Sequence, residues 1–264
     1  MSDGEPPRAR RVLVTGGGKG IGRAIVERFA SEEAAVAFCG RGSRPLDQLA
    51  SMLSSRGTNA YAESIDVSDE AAVERFVANA AKAMGGIDTV VNNASLTASS
   101  GISLAPLLET TTEEWRRTLG VNLDGVFFTS RAAGRIMKAA GRGGTIINIS
   151  SVHAHVPHLS TPHYDAAKSA VEALTRHLAL SLGADGIRVN AIAPGPIDVN
   201  TEDDAFSPEQ RAALARWTVL NRFGNADEIA TVASFLASPA ASYITGQTII
   251  VDGGFLLKHG GMGS

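Results

Sequence analysis

The 264-residue chain reads as an α/β protein, a single domain on a doubly wound parallel sheet of Rossmann type with helices on both faces. Two observations predict this. Short apolar runs alternate with segments of helical spacing along the whole length, which calls for parallel strands joined by right-handed crossovers. The runs also lack period-two alternation, as in Val12–Thr15 (VLVT) and Gly144–Ser150 (GTIINIS), so their strands are covered on both faces.

The elements follow in order. The first strand, Val12–Thr15, leads through a Gly-rich turn into a helix over Ile21–Ala30, where Ile21, Ala24, Ile25 and Phe29 share a face. Val36–Cys39 is the next strand, Leu46–Leu53 a helix and Ala60–Ile65 a strand. Ser68 reads as the N-cap of a helix over Asp69–Met84, with acidic residues in its first turn. Thr89–Asn92 begins a strand, and one long helix is expected over Thr112–Ala139. Strand Gly144–Ser150, helix Tyr164–Leu182 and strand Ile187–Ile192 come next. The last pair is a helix over Ala226–Leu236 and a strand over Thr248–Val251. Residues 1–10 read as a flexible tail, 11–257 as the domain and 258–264 as a Gly-rich tail. Polar segment 198–225, with a helix expected over Pro208–Val219, reads as a lid on the substrate site.

Composition excludes several classes. The formal net charge is −3 and the cations are scattered, which argues against a nucleic-acid partner. A lone cysteine, Cys39, permits no intrachain disulfide and fits a reducing cytoplasm. No apolar run approaches the roughly 20 residues of a membrane span, and residues 1–10 lack the apolar core of a signal peptide.

Thr15–Gly22 (TGGGKGIG) follows the first strand and opens the first helix. Gly16, Gly20 and Gly22 allow a tight turn and close approach of backbone to a pyrophosphate, which the N-terminus of the helix then attracts. Ile21 completes this loop. The sequence is not a P-loop, because Gly18-Lys19 is followed by Gly20 and not by Ser or Thr. In an NAD site an acidic residue about 20 positions past the glycines bonds the ribose 2′-hydroxyl. Gly40 and Arg41 stand there instead. The Arg41 guanidinium matches a 2′-phosphate, and Lys19 offers a second cation. The expected cofactor is NADP(H), with NAD(H) left open.

These motifs add up to a resemblance. From about Arg11 to Phe255 the chain is similar to the short-chain dehydrogenase/reductase family. TGGGKGIG resembles that family's cofactor loop, and Asp66-Val67 stands where the family contacts the adenine. Asn92-Asn93-Ala94 resembles its NNAG motif, which implies cofactor contacts at Asn93 and Ala94. Asn122 matches the active-site asparagine and Ser151 the catalytic serine. Tyr164 and Lys168 match the YxxxK pair. Pro194, Gly195 and Ile197 match the segment beside the nicotinamide. Three positions depart from the pattern: Ser95 replaces the last glycine of NNAG, Val199 replaces a usual threonine with Thr201 later, and Glu33 replaces a frequent glycine. Two branches look nearest, 3-oxoacyl-carrier-protein reductases and bacterial glucose 1-dehydrogenases. The latter tend to carry carboxylates where Thr97 and Ala154 stand, so the substrate stays open. The resemblance also implies a homotetramer.

Tyr164 and Lys168 lie four apart on a helix and so face the same way. A free tyrosine titrates at about 10 and is a poor base at neutral pH. The Lys168 ammonium is expected to pull it toward about 7. Tyr164 then exchanges a proton with the substrate oxygen as general acid/base, and Ser151 donates to the same oxygen. By resemblance Lys168 also holds the nicotinamide ribose, and Asn122 anchors a water that relays protons to Lys168. His153, His155, His158 and His163 crowd eleven residues without an interleaved Cys or a familiar ligand spacing, so no metal is expected. His153 and, from the lid, Trp217 are candidate substrate contacts. The expected activity is hydride transfer between nicotinamide and a small ketone or secondary alcohol. A cofactor-retaining epimerase or dehydratase and a non-catalytic NADP sensor are the alternatives.

Overall fold

The computed structural model describes residues 9–97, 101–199 and 207–260. The expected tails therefore fall largely outside the described residues, as do Thr201 and part of the lid.

Seven parallel strands form the central sheet in the order β3-β2-β1-β4-β5-β6-β9. They are β1 (Arg11–Thr15), β2 (Ala35–Gly40), β3 (Ala60–Ser64), β4 (Thr89–Asn92), β5 (Gly144–Ile149), β6 (Ile187–Pro194) and β9 (Thr248–Val251). The central strands are buried along their length and the edge strands β3 and β9 only in part. On one face, Ile25 and Phe29 of α1 (Gly20–Ser31), Leu46 and Leu49 of α2 (Ser43–Ser55) and Ile229 of α8 (Ala226–Ala237) bury Val12, Val14 and Val36. On the other, Phe76 of α3 (Glu70–Met84), Met137 of α5 (Gly125–Ala140) and Ala179 of α6 (Pro162–Leu182) bury Leu13, Val90 and Ile146. Strand order reverses between β1 and β4, and the crevice beyond that point is where such sheets bind ligands.

Four expectations change in detail. The single helix over Thr112–Ala139 is two, α4 (Thr112–Leu119) and α5, joined by a π-helical turn over Gly120–Asp124. One extra residue per turn is accommodated there because Asn122 is stapled to another segment and Gly125 packs directly on Val67. The cap of α3 is Asp69, whose carboxylate accepts from Ala72 N–H at 3.1 Å, while Ser68 donates its hydroxyl to Asp66. The lid helix α7 is shorter than expected, Pro208–Ala215. Finally, Phe255–Gly260 form a short helix, α9, so the irregular tail does not begin at 258.

The described parts of segment 198–225 are anchored at both ends. The segment leaves the sheet through β7 (Ile197–Asp198) and returns through β8 (Gly224–Asn225), and these two pair with each other. Arg211 of α7 bonds Asp198, and Asn225 with Glu228 forms a capping box at the start of α8.

Candidate active site

The glycine turn between β1 and α1 is closed by backbone contact. A methyl group on Gly22 would lie 2.1 Å from the Gly16 carbonyl and 2.4 Å from Asn93 Nδ2, and one on Gly16 would lie 2.8 Å from Ala94 Cα. Thr15 Oγ1 accepts the N–H groups of Asn93 and Ala94, each at 3.1 Å. Asn93 Nδ2 in turn donates to the carbonyls of Thr15 and Gly16. The end of β4 is thus laced to the glycine turn. Lys19 is the N-cap of α1, its own side chain does not cap the helix, and the first turn of α1 opens beside the glycines. Ile21 anchors the turn in the core, and Gly20 lies under Val199 at the start of the lid. A phosphate-bearing cofactor fits such a cradle.

The other predicted cofactor contacts lie along the same edge. Arg41 is exposed just past β2, and α2 begins after it with Arg44 and no acidic residue in its first turn. No carboxylate stands at the end of β2 to take a ribose hydroxyl. Asp66 is exposed and accepts the N–H and O–H of Ser68, while Val67 is buried beneath Gly125. Pro194 ends β6, Gly195 donates its N–H to Val251 and backs onto Asp252, and Ile197 opens the lid.

The residues predicted to be catalytic come together where β5 ends. Ser151 is buried, and its Oγ accepts from His153 N–H at 3.2 Å. Tyr164 enters from the first turn of α6, with the Ser151 hydroxyl close enough to favour its ionised form. Lys168 lies one turn further on, buried, with Nζ donating to the Ile149 carbonyl at 2.8 Å and 5.6 Å from the Tyr164 ring. Burial pushes the Tyr164 hydroxyl up to about 12, opposed by the Ser151 hydrogen bond and reinforced by the Asp165 charge. Burial pushes Lys168 down to about 8. The expected descent of Tyr164 toward neutrality is therefore corrected. In this arrangement the Lys168 ammonium is engaged by the Ile149 carbonyl, and burial is the largest influence on the phenol.

Asn122 sits in the π-helical turn, fully buried. Its Oδ1 accepts from Leu96 N–H at 2.7 Å and its Nδ2 donates to Leu96 O at 3.0 Å. The side chain that the resemblance assigns to a proton relay holds the loop after β4 in place. Beside it, the Ser95 hydroxyl of the altered NNAG motif bonds the Leu96 carbonyl.

The four histidines diverge. His153 stands edge-on to Tyr164, ring centroids 6.2 Å apart, with Nδ1 against the Val156 carbonyl. His158 packs edge-on to His153. His155 pairs with Glu172 at 3.1 Å. His163 is buried with neither ring nitrogen hydrogen-bonded among the described residues. Trp217 is half exposed and rests near Phe255 of α9, ring centroids 6.3 Å apart, and no described contact carries it to Tyr164. Sequence reasoning missed Thr15, Ser150, Asp165 and Glu172 as site-building residues. Asp165 accepts His158 N–H and the Thr161 hydroxyl, shaping the approach to α6. Their signal is weak because each acts on partners far away in sequence or through a common residue type.

Comparison with known proteins gives a consistent result. The family model described as Enoyl-(Acyl carrier protein) reductase matches residues 16–256. Glucose 1-dehydrogenase 2 of Bacillus subtilis is 35% identical over 94% of this chain and 95% of its own. Meso-2,3-butanediol dehydrogenase of Serratia marcescens is 37% identical over 94% of this chain and 95% of its own. A solved short-chain dehydrogenase/reductase from Serratia marcescens superposes with a TM-score of 0.86 at 37% identity, over 95% of this chain and 99% of that one. By these matches over nearly its whole length, the chain belongs to the short-chain dehydrogenase/reductase family of oxidoreductases.

Proposed function

We propose that the protein is an NADP(H)-dependent oxidoreductase acting on a small ketone or the corresponding secondary alcohol, with Tyr164 as general acid/base. One observation carries this reading: Ser151, Tyr164 and Lys168 converge at the carboxyl end of β5, on the sheet edge that also holds the uncapped glycine turn. When bound, the nicotinamide supplies the hydride. Gly16, Lys19, Gly20, Ile21 and Gly22 hold its pyrophosphate. Asp66, Val67, Asn93 and Ala94 border the adenine side, and Pro194, Gly195 and Ile197 the nicotinamide side.

Tyr164 remains protonated at neutral pH, since its hydroxyl is pushed up to about 12. In that form it gives a proton to a carbonyl oxygen in reduction, and it takes one back in oxidation. Ser151 Oγ–H stabilises the charge that develops on the same oxygen. Lys168 holds the nicotinamide ribose, and Asn122 orders the loop that borders the cleft. His153, edge-on to Tyr164, and Trp217 of the lid region line the substrate side. Among relatives, the NADP-dependent (R)-specific alcohol dehydrogenase of Lentilactobacillus kefiri is 35% identical over 94% of this chain and 97% of its own. Arg41 and the absence of a carboxylate after β2 support NADP(H) over NAD(H) here.

The protein is further proposed to work in the cytoplasm as a homotetramer. No described helix is long and apolar enough to cross a membrane, and exposed Phe127 of α5 and Leu180 of α6 offer apolar surface to a second copy.

The test is a fluorescence titration with NADPH and NADH, followed by a panel of ketones under NADPH. Tight NADPH binding with ketone-dependent oxidation is expected. NADPH binding without turnover on any ketone would turn the reading toward an epimerase, a dehydratase or a sensor. Arg41→Asp should lower NADPH affinity by about tenfold to a hundredfold with NADH affinity held or improved. An unchanged preference removes Arg41 from the phosphate site.

A further inference from the structure

The segment from Ser150 to His155 carries Ser151 and His153, and both its ends meet one buried carboxylate. Glu172 lies on α6, one turn past Lys168, and is 7% exposed. Its Oε1 accepts the Ser150 hydroxyl at 2.9 Å and faces His155 Nε2 at 3.1 Å. Ser150 also reaches the Lys168 carbonyl at 3.3 Å, and Ser169 donates its hydroxyl to the Ala154 carbonyl at 3.2 Å. A carboxylate in a nearly dry site costs several kcal/mol unless its oxygens are well partnered, so its partners are held in narrow geometry.

We infer that Glu172 is a positioning residue for the reaction. It fixes the Ser150–His155 segment to the helix that bears Tyr164 and Lys168, and so keeps the Ser151 hydroxyl on the side of the cleft that Tyr164 faces. It touches neither substrate nor cofactor and acts through Ser150 and His155. The glycine turn is held by other groups, Thr15 and Asn93, so the effect belongs to the corner beyond β5. This inference rests on the oxidoreductase reading above.

The test compares the full-length wild type with Glu172→Ala, Glu172→Gln, Glu172→Leu and His155→Ala. Each is measured for kcat and KM on a ketone the wild type reduces, for NADPH affinity, and for hydrogen exchange over residues 150–156. Glu172→Ala and Glu172→Leu should lower kcat by about tenfold or more, leave NADPH affinity within about twofold and speed exchange in the segment. Glu172→Gln keeps an acceptor oxygen at the same reach and should recover most of kcat. Leu fills the same space without an acceptor, so equal behaviour of Leu and Gln would mean that packing alone matters and would overturn the inference. His155→Ala removes an accessible partner, and should reproduce part of the loss in kcat and part of the faster exchange. Should the apolar variants fail to fold, Glu172→Gln and His155→Ala decide. Wild-type kcat and wild-type exchange in His155→Ala, or loss of kcat in Glu172→Gln equal to that of a broken site, refutes the positioning role. A wild type that binds NADPH but turns over no ketone would instead fail the oxidoreductase reading, while the exchange measurements still report whether Glu172 orders the segment.

Discussion

At the end of β1 close approach to backbone shapes the site, with Thr15 and Asn93 lacing it to β4, whereas at the end of β5 polar side chains shape it. In the glycine turn the limiting distances are those a single methyl group would have to Gly16 and Asn93. In the corner beyond β5 they are hydrogen bonds made by buried polar side chains, Ser150 to Glu172 and Lys168 to the Ile149 carbonyl. The first kind of site tolerates no added atom but asks little of charge. The second tolerates modest changes of shape but depends on which groups donate, which accept and how dry they are. Substitutions should therefore separate the two: binding fails at the turn, and chemistry fails at the corner.

The largest expected effect is at the corner. Tyr164→Phe should lower kcat by about 10²–10⁴-fold, the range that a positioned acid/base group supplies, while NADPH affinity stays within about twofold. Ordinary turnover in that variant would remove Tyr164 from the chemistry. At the turn the pattern reverses. Gly22→Ala forces a methyl against the Gly16 carbonyl, and overpacking of this kind costs about 1–3 kcal/mol. NADPH affinity should fall by about tenfold to a hundredfold in calorimetry. Gly183→Ala, where an added methyl meets nothing within 4 Å, serves as the control and should bind normally. Equal affinities for the two alanine variants would mean that the turn relaxes freely, and the contrast between the regions would collapse.

A third contrast concerns His163, next to Tyr164 in the chain and buried with neither ring nitrogen hydrogen-bonded among the described residues. Desolvation lowers its pKa below the ordinary 6.5, against the charges of Glu114 and Asp165. For a base depressed in the folded state, the unfolded chain binds the proton more readily. Stability is then unaffected above about pH 6.5 and declines as pH falls through that value, by at most about 1.4 kcal/mol per pH unit for one proton. Thermal unfolding of wild type and His163→Leu between pH 8 and pH 5 should show the steeper acid decline in the wild type. Parallel curves would mean that His163 accepts its proton in the folded state.

The same contrast explains what could be read before any coordinates. Backbone-built features announce themselves in sequence, because only glycine satisfies them: Gly16, Gly20 and Gly22 gave away the turn and its place after β1. The alternation of strands and helices was legible for a related reason, since burial on both sheet faces leaves no polar residue in strands such as Val12–Val14. Tyr164 and Lys168 were legible because a helix fixes their spacing. The π-helical turn was not, for it depends on Asn122 bonding Leu96, a partner 26 residues away. Glu172 was hidden likewise: a glutamate eight residues after Tyr164 looks like an ordinary helix surface until Ser150 and His155 fold against it. The pKa of Tyr164 was misjudged because spacing places the lysine nearby but does not say what its ammonium bonds or how dry the phenol is.

The smallest expected effect returns to the backbone. Glu33 sits at φ 62°, directly after α1, where Ala34 N–H reaches the Phe29 carbonyl and Glu33 N–H the Ala30 carbonyl. That is a Schellman ending, whose left-handed residue is ordinarily glycine. A side chain in this conformation costs about 1–2 kcal/mol, and here the Glu33 carboxylate makes no bond among the described residues that would offset it. Glu33→Gly should therefore raise the melting temperature by about 2–4 °C, with kcat and NADPH affinity unchanged, because the turn lies at the opposite end of β2 from Arg41. A lower melting temperature would show that the flexibility glycine brings to the unfolded chain outweighs the relief of strain. Backbone geometry would then govern the cofactor cradle at the carboxyl end of the sheet but not this turn at its amino end.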